Sequence, residues 1–276
     1  MRLAYASLAL LASAGLALPC VASAQALRYG GDEGRSDRYR LTNTVQIHQE
    51  FQGAAADLTV RSRGVVDLVL ERADADTLTY TVVFDSLDLA FEGAPAEAPD
   101  LSCVVGRTLR LSLSPSGRVQ AFDKPADLCE TAPGFDLERT VSHFFPRLPE
   151  GGGKSGGAWA DTLAYAVSQQ GIESEVHVIT TYAPKENREG SAGRLVEVAY
   201  ETLTTVSGEG EQGGTPLILE GSGRGSGTIL FAADGAAFWS STGTQTLDIT
   251  VNVTPTGQPP LSIPIHQEIT AEVEHL

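Results

Sequence analysis

Residues 196–206 read VEVAYETLTTV, and this segment alternates two kinds of side chain along its whole length. Every even position from Val196 to Val206 carries valine, tyrosine or threonine, whereas glutamate occupies two of the odd positions. Successive side chains of a β-strand point to opposite faces, so a period of two indicates a strand with one face against a core and the other in water. The same period recurs at residues 45–51, 58–70, 78–84, 87–91, 109–113, 159–167, 176–182, 247–253 and 261–269.

Turn residues separate these strands. Of the 276 residues, 29 are Gly and 14 are Pro, a density that favours many short strands over long helices. Ser114-Pro115-Ser116-Gly117 predicts a hairpin turn, Asp234-Gly235 predicts a second, and Leu217–Leu219 reads as a short separate piece. The apolar phase switches after Asp85, which indicates a bulge or a bend. We predict an all-β, mainly antiparallel fold, a large curved sheet or half-barrel of about a dozen strands with one short helix.

The one helix is predicted from four apolar residues at helical spacing, which are Leu137, Val141, Phe144 and Phe145. Asp136 can cap its start and Pro146 ends it after about ten residues. We expect this helix to cover the dry face of the sheet, with Phe144, Phe145, Trp159 and Tyr165 meeting where the two pack together. These four aromatic residues are candidates for lining a ligand, and an ordinary core is the simpler interpretation.

The N-terminus has the three parts of a secretory signal. Met1-Arg2 is followed by an apolar run from Leu8 to Leu18 and by small residues at Ala22-Ser23-Ala24, which predicts cleavage after Ala24. We therefore expect a periplasmic or secreted protein without a transmembrane segment. Lipidation of Cys20 is the alternative, but Leu18-Pro19 before it does not fit a lipoprotein signal.

We expect three parts along the chain: a signal peptide at 1–24, a flexible lead-in at 25–38, and a single β-rich domain at 39–276. The domain has two halves, 39–149 and 158–276, and the Gly-rich loop at 150–157 joins them.

The net charge bears on the class of partner, and the cysteine content bears on disulfide formation. Asp and Glu number 35 against 19 Lys and Arg, a net charge of −16 that disfavours binding to nucleic acid. After cleavage two cysteines remain, Cys103 and Cys129, and an even pair in an oxidising compartment predicts a disulfide. Such a bridge would stabilise the fold by about 3–4 kcal/mol.

The motifs that resemble catalytic or cofactor sites do not have the required context. Gly153-Lys154-Ser155 resembles a phosphate-binding loop or a nucleophile elbow, but no strand precedes it and no helix follows. His48 with Glu50, and His266 with Glu268, lie on the polar side of their strands. If the first and last strands were neighbours, these four side chains could cluster into a zinc or copper site, although solvated side chains are the simpler interpretation. We predict no enzyme activity and no cofactor.

Two phrases, Phe144-Phe145-Pro146-Arg147-Leu148-Pro149 and Trp159-Ala160-Asp161-Thr162, resemble an uncharacterised family of exported bacterial β-rich proteins. The long strands more remotely resemble the LolA/LppX-like lipid and lipoprotein carriers, which implies a concave apolar face that holds acyl chains. Our first hypothesis is a monomeric, non-catalytic binder of a lipid or other apolar molecule. The alternatives are an envelope module that meets a protein through sheet edges and acidic loops such as Gly208–Gly214, and a metal-dependent hydrolase that uses His48 and His266.

Overall fold

The computed structural model describes residues 27–51, 53–93, 100–126, 128, 137–150, 157–169, 171–190, 193–212, 214–255, 257 and 259–276. These residues form one antiparallel sheet of eleven strands and one short helix. The strands are β1 (Ser36–Phe51), β2 (Ala54–Ala73), β3 (Leu78–Glu92), β4 (Thr108–Leu113), β5 (Val119–Asp123), β6 (Trp159–Gln169), β7 (Ile172–Gly190), β8 (Gly193–Gln212), β9 (Thr215–Ala232), β10 (Ala237–Val253) and β11 (Leu261–His275), and the helix is α1 (Leu137–Ser142).

The strand order is β5-β4-β3-β2-β1-β11-β10-β9-β8-β7-β6. Every pair of neighbouring strands except β1–β11 consists of strands that are consecutive along the chain. The first strand, β1, pairs with the last, β11, in the centre of the sheet. The predicted all-β fold class is confirmed, and β5 and β6 are the two edges of the sheet.

The sheet is rolled rather than flat, and Tyr29 shows this. β4 and β9 are six strand spacings apart, which is about 29 Å across a flat sheet. Yet the Tyr29 amide donates a hydrogen bond to Pro115 O, just after β4, at 2.8 Å, and its ring lies 5.4 Å from that of Phe231 on β9. One residue can contact both places only if the sheet curves back on itself.

Buried aromatic side chains fill one end of the roll. The ring centre of Tyr39 of β1 lies 5.0 Å from that of Phe144 and 5.7 Å from that of Phe238 of β10. The Tyr39 hydroxyl donates a hydrogen bond to Phe238 O at 2.8 Å. Tyr80 of β3 lies 5.4 Å from Phe145. Side chains of β1–β4 and of β7–β10 therefore share one core with α1.

The helix is shorter than predicted. It covers six residues, and the Phe144 amide then donates to Val141 O three residues back, which tightens the chain before Pro146. Phe144 and Phe145 reach the core from this turn instead of from a helix face. Asp136, the predicted cap, lies outside the described residues.

Several sequence-based boundaries change. Leu217–Leu219 is not a separate piece, because β9 continues through four glycines to Ala232. Residues 208–212 of the predicted acidic loop Gly208–Gly214 belong to β8. The described part of the lead-in, predicted to be flexible, is packed instead: Tyr29 is 1% exposed because its ring lies between β4, β9 and the segment after α1.

Two local predictions are confirmed. Val65 pairs with Ser86 and Val66 with Phe84, so Asp85 is the extra residue of a bulge. Asp234-Gly235 lies in the turn between β9 and β10.

Candidate functional site

The candidate site is the inward side of the sheet beyond the buried core. We call it the open inner face and define it by the partly exposed apolar side chains that point into the roll there. These side chains are Val45, Ile47, Leu58, Val60, Leu163, Tyr165, Val167, Val178, Val206, Leu219, Ile249, Val251, Ile263, Ile265 and Ile269.

Alternation along the long strands creates this face. On β9, for example, Leu219 points inward and is half-buried, whereas its neighbour Ile218 points outward and is 54% exposed. The two ends of the roll therefore differ: aromatic residues close one, and the inward side chains of the other remain partly exposed to water.

Glycine allows the roll to curve tightly next to this face. The inward positions of β9 between Leu219 and Ile229 are all glycine, and Tyr200 of β8 lies directly across from the last of them, Gly227. A Cβ added to Gly227 would lie 2.5 Å from Tyr200 Oη, and one added to Gly243 of β10 would lie 3.0 Å from Tyr200 Cζ. The tyrosine ring therefore spans two neighbouring strands, which requires glycine beneath it.

The four predicted aromatic residues do not form one group. Phe144 and Phe145 contact each other at 5.0 Å within the core. The cavity beside them measures only about 10 Å³, room for no more than a single water. Trp159 packs against the edge of the same core, whereas Tyr165 contacts Arg139 of α1 and His143 in the turn after it.

Trp159 stacks on Tyr182 of β7 at 5.0 Å, and its Nε1 donates to Arg147 O at 3.0 Å. Tyr165 belongs to the open inner face, and the guanidinium of Arg139 lies 4.4 Å from its ring centre. Only Tyr165 of the four thus lies where an apolar molecule would find space.

Arg147 places an unpaired donor near this edge of the sheet. Its Nη1 is buried and has no hydrogen-bond partner. Loss of solvent lowers the pKa of the guanidinium, and the nearby Asp161 carboxylate opposes that shift. Asp161 is the inward residue of β6 just before Leu163 and Tyr165, so a polar group lies where the open inner face begins.

A second cavity, of about 530 Å³, has a different character. It lies at the β4–β5 turn, and its lining includes Arg118, Gln120 and Glu150. Arg118 and Glu150 form a salt bridge at 3.0 Å across it. The lining mixes these polar side chains with apolar ones such as Leu27, Pro115 and Pro149, and it includes none of the residues of the open inner face.

The condition set for the histidine cluster is met: Glu268 lies beside His266 as predicted, and the other carboxylates that contact the two rings are Asp57 and Asp248. β1 and β11 are neighbours, and His48 is the direct cross-strand partner of His266. His48 Nδ1 donates to Asp57 Oδ1 at 2.7 Å, and His266 Nδ1 donates to Asp248 Oδ1 at 2.6 Å. Asp57 and Asp248 come from β2 and β10, so only the strand register reveals them. Within the described ranges no group of three or more His, Cys, Asp or Glu side chains is arranged to hold a metal ion.

The pKa of His266 is raised, mainly by its hydrogen bond to Asp248, with a smaller contribution from Glu268, whose Oε1 lies 3.6 Å from Nε2.

Cys103 is disulfide-bonded. Its predicted partner Cys129, like the signal peptide with Cys20 and the glycines at 151–156, lies outside the described residues. The pairing of Cys103 with Cys129 therefore stays a prediction.

No family model matches this sequence, and no curated protein matches it. The solved structures found by structural comparison include two proteins from Pseudomonas aeruginosa and one outer membrane channel from Pseudomonas putida. OccK2 (OpdF) has 6% identity over 89% of this chain and 99% of that chain, with a TM-score of 0.22. OccK8 (OprE) has 6% identity over 90% and 100%, with a TM-score of 0.23. The COG4313 outer membrane channel from Pseudomonas putida F1 has 9% identity over 88% and 97%, with a TM-score of 0.18. Similarity this low assigns neither a family nor a function.

Among the described residues, no α-helix combines the length and the apolar character needed to span a membrane.

Proposed function

We propose that this chain is an exported, non-catalytic protein of the bacterial envelope that binds a lipid or an acylated molecule on its open inner face. One observation carries the proposal: side chains from eight of the eleven strands form a concave apolar surface that remains partly exposed to water. Soluble proteins rarely leave so large an apolar patch uncovered unless something binds there.

A hydrocarbon chain suits this surface better than a compact ligand. The surface consists mainly of β-branched and leucine side chains in parallel rows, with the polar residues Asn43, Gln245 and Gln267 between them on the same face. Each methylene that leaves water for such a surface contributes about 0.8 kcal/mol. An acyl chain lying along the roll gains this contribution at every carbon that it buries.

Arg147 supports a ligand with an acceptor oxygen at one end. Its unpaired Nη1 lies near Asp161, beside the inward residues of β6. An ester or carboxylate oxygen would satisfy this donor while the hydrocarbon chain follows Leu163 and Tyr165. This arrangement favours an amphiphile over a pure hydrocarbon.

Two neighbouring residues of β9 provide a matched test. Leu219→Gln places an amide on the open inner face, and Ile218→Gln places the same amide on the outer surface. We expect the fluorescent fatty acid cis-parinaric acid to bind the wild type saturably and oleate to displace it. Leu219→Gln should raise Kd about tenfold, equivalent to about 1.4 kcal/mol, whereas Ile218→Gln should leave Kd unchanged.

Circular dichroism and urea midpoints verify that both variants remain folded. Absence of saturable binding to the wild type, or an equal effect of the two variants, would contradict the proposal.

An envelope interaction module is the second candidate, and the unpaired edge of β6 favours it. This strand has eleven residues, and within the described part of the chain it pairs only with β7. An extended segment of a partner protein can add to such an edge through backbone hydrogen bonds. A periplasmic partner captured by the wild type but not by Ala166→Pro would favour this function, because proline removes a backbone donor.

A further inference from the structure

Four polar residues form a continuous row across the outer surface of the sheet. The strand register aligns Asp57 of β2 with His48 of β1, His48 with His266 of β11, and His266 with Asp248 of β10. We call Asp57, His48, His266 and Asp248 the histidine row. It lies on the face opposite the proposed apolar site and takes no part in that function.

The register brings the two histidines close together. Directly opposed residues of antiparallel strands have Cβ atoms about 4.5–5.5 Å apart. Both side chains point to solvent, with 53% of His48 and 42% of His266 exposed, so each ring is free of the core. Two imidazoles on Cβ atoms at that spacing can reach one ion with metal–nitrogen bonds of about 2.0–2.1 Å.

The aspartates orient both rings in the same sense. Each Nδ1 donates its proton to an aspartate on the strand away from the other histidine, at 2.7 Å for His48 and 2.6 Å for His266. A carboxylate acceptor requires the proton on Nδ1, which leaves a lone pair on Nε2. The two nitrogens flank one carbon of the imidazole and point in diverging directions, so each Nε2 lies on the side of the ring away from its aspartate, and that of His266 is 3.6 Å from Glu268 Oε1.

This is the arrangement found around metal-binding histidines, in which a carboxylate holds the nitrogen that does not bind the metal. We propose that the Nε2 atoms of His48 and His266 bind one divalent transition-metal ion on the outer surface, with water completing its coordination. The proposed site uses two protein ligands, since the described ranges hold no group of three or more.

The chemistry of the donors selects the ion. Imidazole nitrogen suits Cu²⁺, Zn²⁺ and Ni²⁺, whereas Mg²⁺ and Ca²⁺ prefer oxygen ligands. The carboxylates of Asp57, Asp248 and Glu268 add negative charge around the pair, which attracts a cation. Glu268 also lies close enough to His266 to hydrogen-bond a metal-bound water.

A bound ion would join the first strand of the sheet to the last. β1 and β11 are far apart along the chain and meet only through their ladder. Since the ion binds the folded register and not the unfolded chain, it should raise the thermal unfolding temperature.

The test uses the mature chain without a polyhistidine tag, after treatment with a chelator. We expect isothermal titration with Zn²⁺ and with Ni²⁺ to show one ion per chain, and the unfolding temperature to rise with ion concentration. His48→Asn and His266→Asn should each weaken binding at least tenfold, and Asp248→Asn about tenfold or more, because it loosens the ring.

His177 provides the control. It is an outward histidine on β7 whose Nε2 lies 3.1 Å from Glu175, but its cross-strand partners are Ala164 and Thr205, not histidines. His177→Asn should bind as the wild type does. Failure of Zn²⁺ and Ni²⁺ to bind at millimolar concentration, or equal losses from His177→Asn and His48→Asn, would overturn the proposal without affecting the apolar site.

Discussion

Tyr200 and the glycines beneath it allow a quantitative test of how the roll is made. A methyl group at Gly243 would overlap with Tyr200 Oη and lie 3.0 Å from Cζ, so Gly243→Ala must push the ring aside. Overpacking of this kind costs about 1–3 kcal/mol. Tyr200 is largely desolvated, which raises its pKa, and its ring has little room to move. We therefore expect Gly243→Ala to destabilise the protein by about 2 kcal/mol.

A double-mutant cycle separates this clash from other effects of the substitution. Tyr200→Leu removes the aromatic ring and its hydroxyl, so Gly243→Ala in that background should have almost no effect on stability. The coupling between the two sites should then be about 1–3 kcal/mol. Urea denaturation followed by the fluorescence of the two tryptophans gives each free energy of unfolding. Ser226→Ala, an exposed position on β9, is the control and should change stability by less than about 0.5 kcal/mol. Additive effects of Gly243→Ala and Tyr200→Leu on the free energy of unfolding would refute the idea that the Tyr200 ring is the reason for glycine at position 243.

Other predictions concern the core, a turn and a titrating side chain. Tyr39→Phe removes the buried hydrogen bond to Phe238 O and leaves that oxygen unpaired, so urea denaturation should show a loss of about 1–3 kcal/mol. Ala236 adopts a φ of 48°, a conformation that glycine adopts without strain, and Ala236→Gly should therefore raise the thermal unfolding temperature. His266 should titrate by NMR above the usual histidine value, and Asp248→Asn should lower its pKa. Because its folded pKa is raised, the stabilisation from protonated His266 is complete below the unfolded pKa and is lost as the pH rises through the folded pKa.

Local patterns in the sequence were sufficient to predict the strands. The period of two places side chains on alternate faces whatever lies next to the strand, so the all-β class and the bulge at Asp85 follow from the chain alone. The strand through the glycines at 221–227 was missed because glycine has low strand propensity and no side chain to show a period. Tyr200 on the neighbouring strand accounts for Gly227, whereas a Cβ at Gly221, Gly223 or Gly225 would meet backbone oxygens of β10, and the local pattern reveals neither contact.

The candidate sites depend on contacts that are distant in sequence. The predicted neighbourhood of His48 and His266 was conditional on the pairing of β1 with β11, and Asp57 and Asp248 were missed because they join the row only through that register. Tyr29 was missed for a similar reason. A single tyrosine among glycines and charges has no periodic partner, and its burial depends on the rolled sheet.

The central seam between β1 and β11 also determines when the sheet can be completed. The proposed export delivers the chain N-terminus first, so β1 reaches the folding compartment before the partner that begins at Leu261. Throughout that interval the chain carries an unsatisfied strand edge in the middle of its future sheet, where foreign strands can add. Productive folding of this protein therefore benefits from a shield over β1 until β11 arrives.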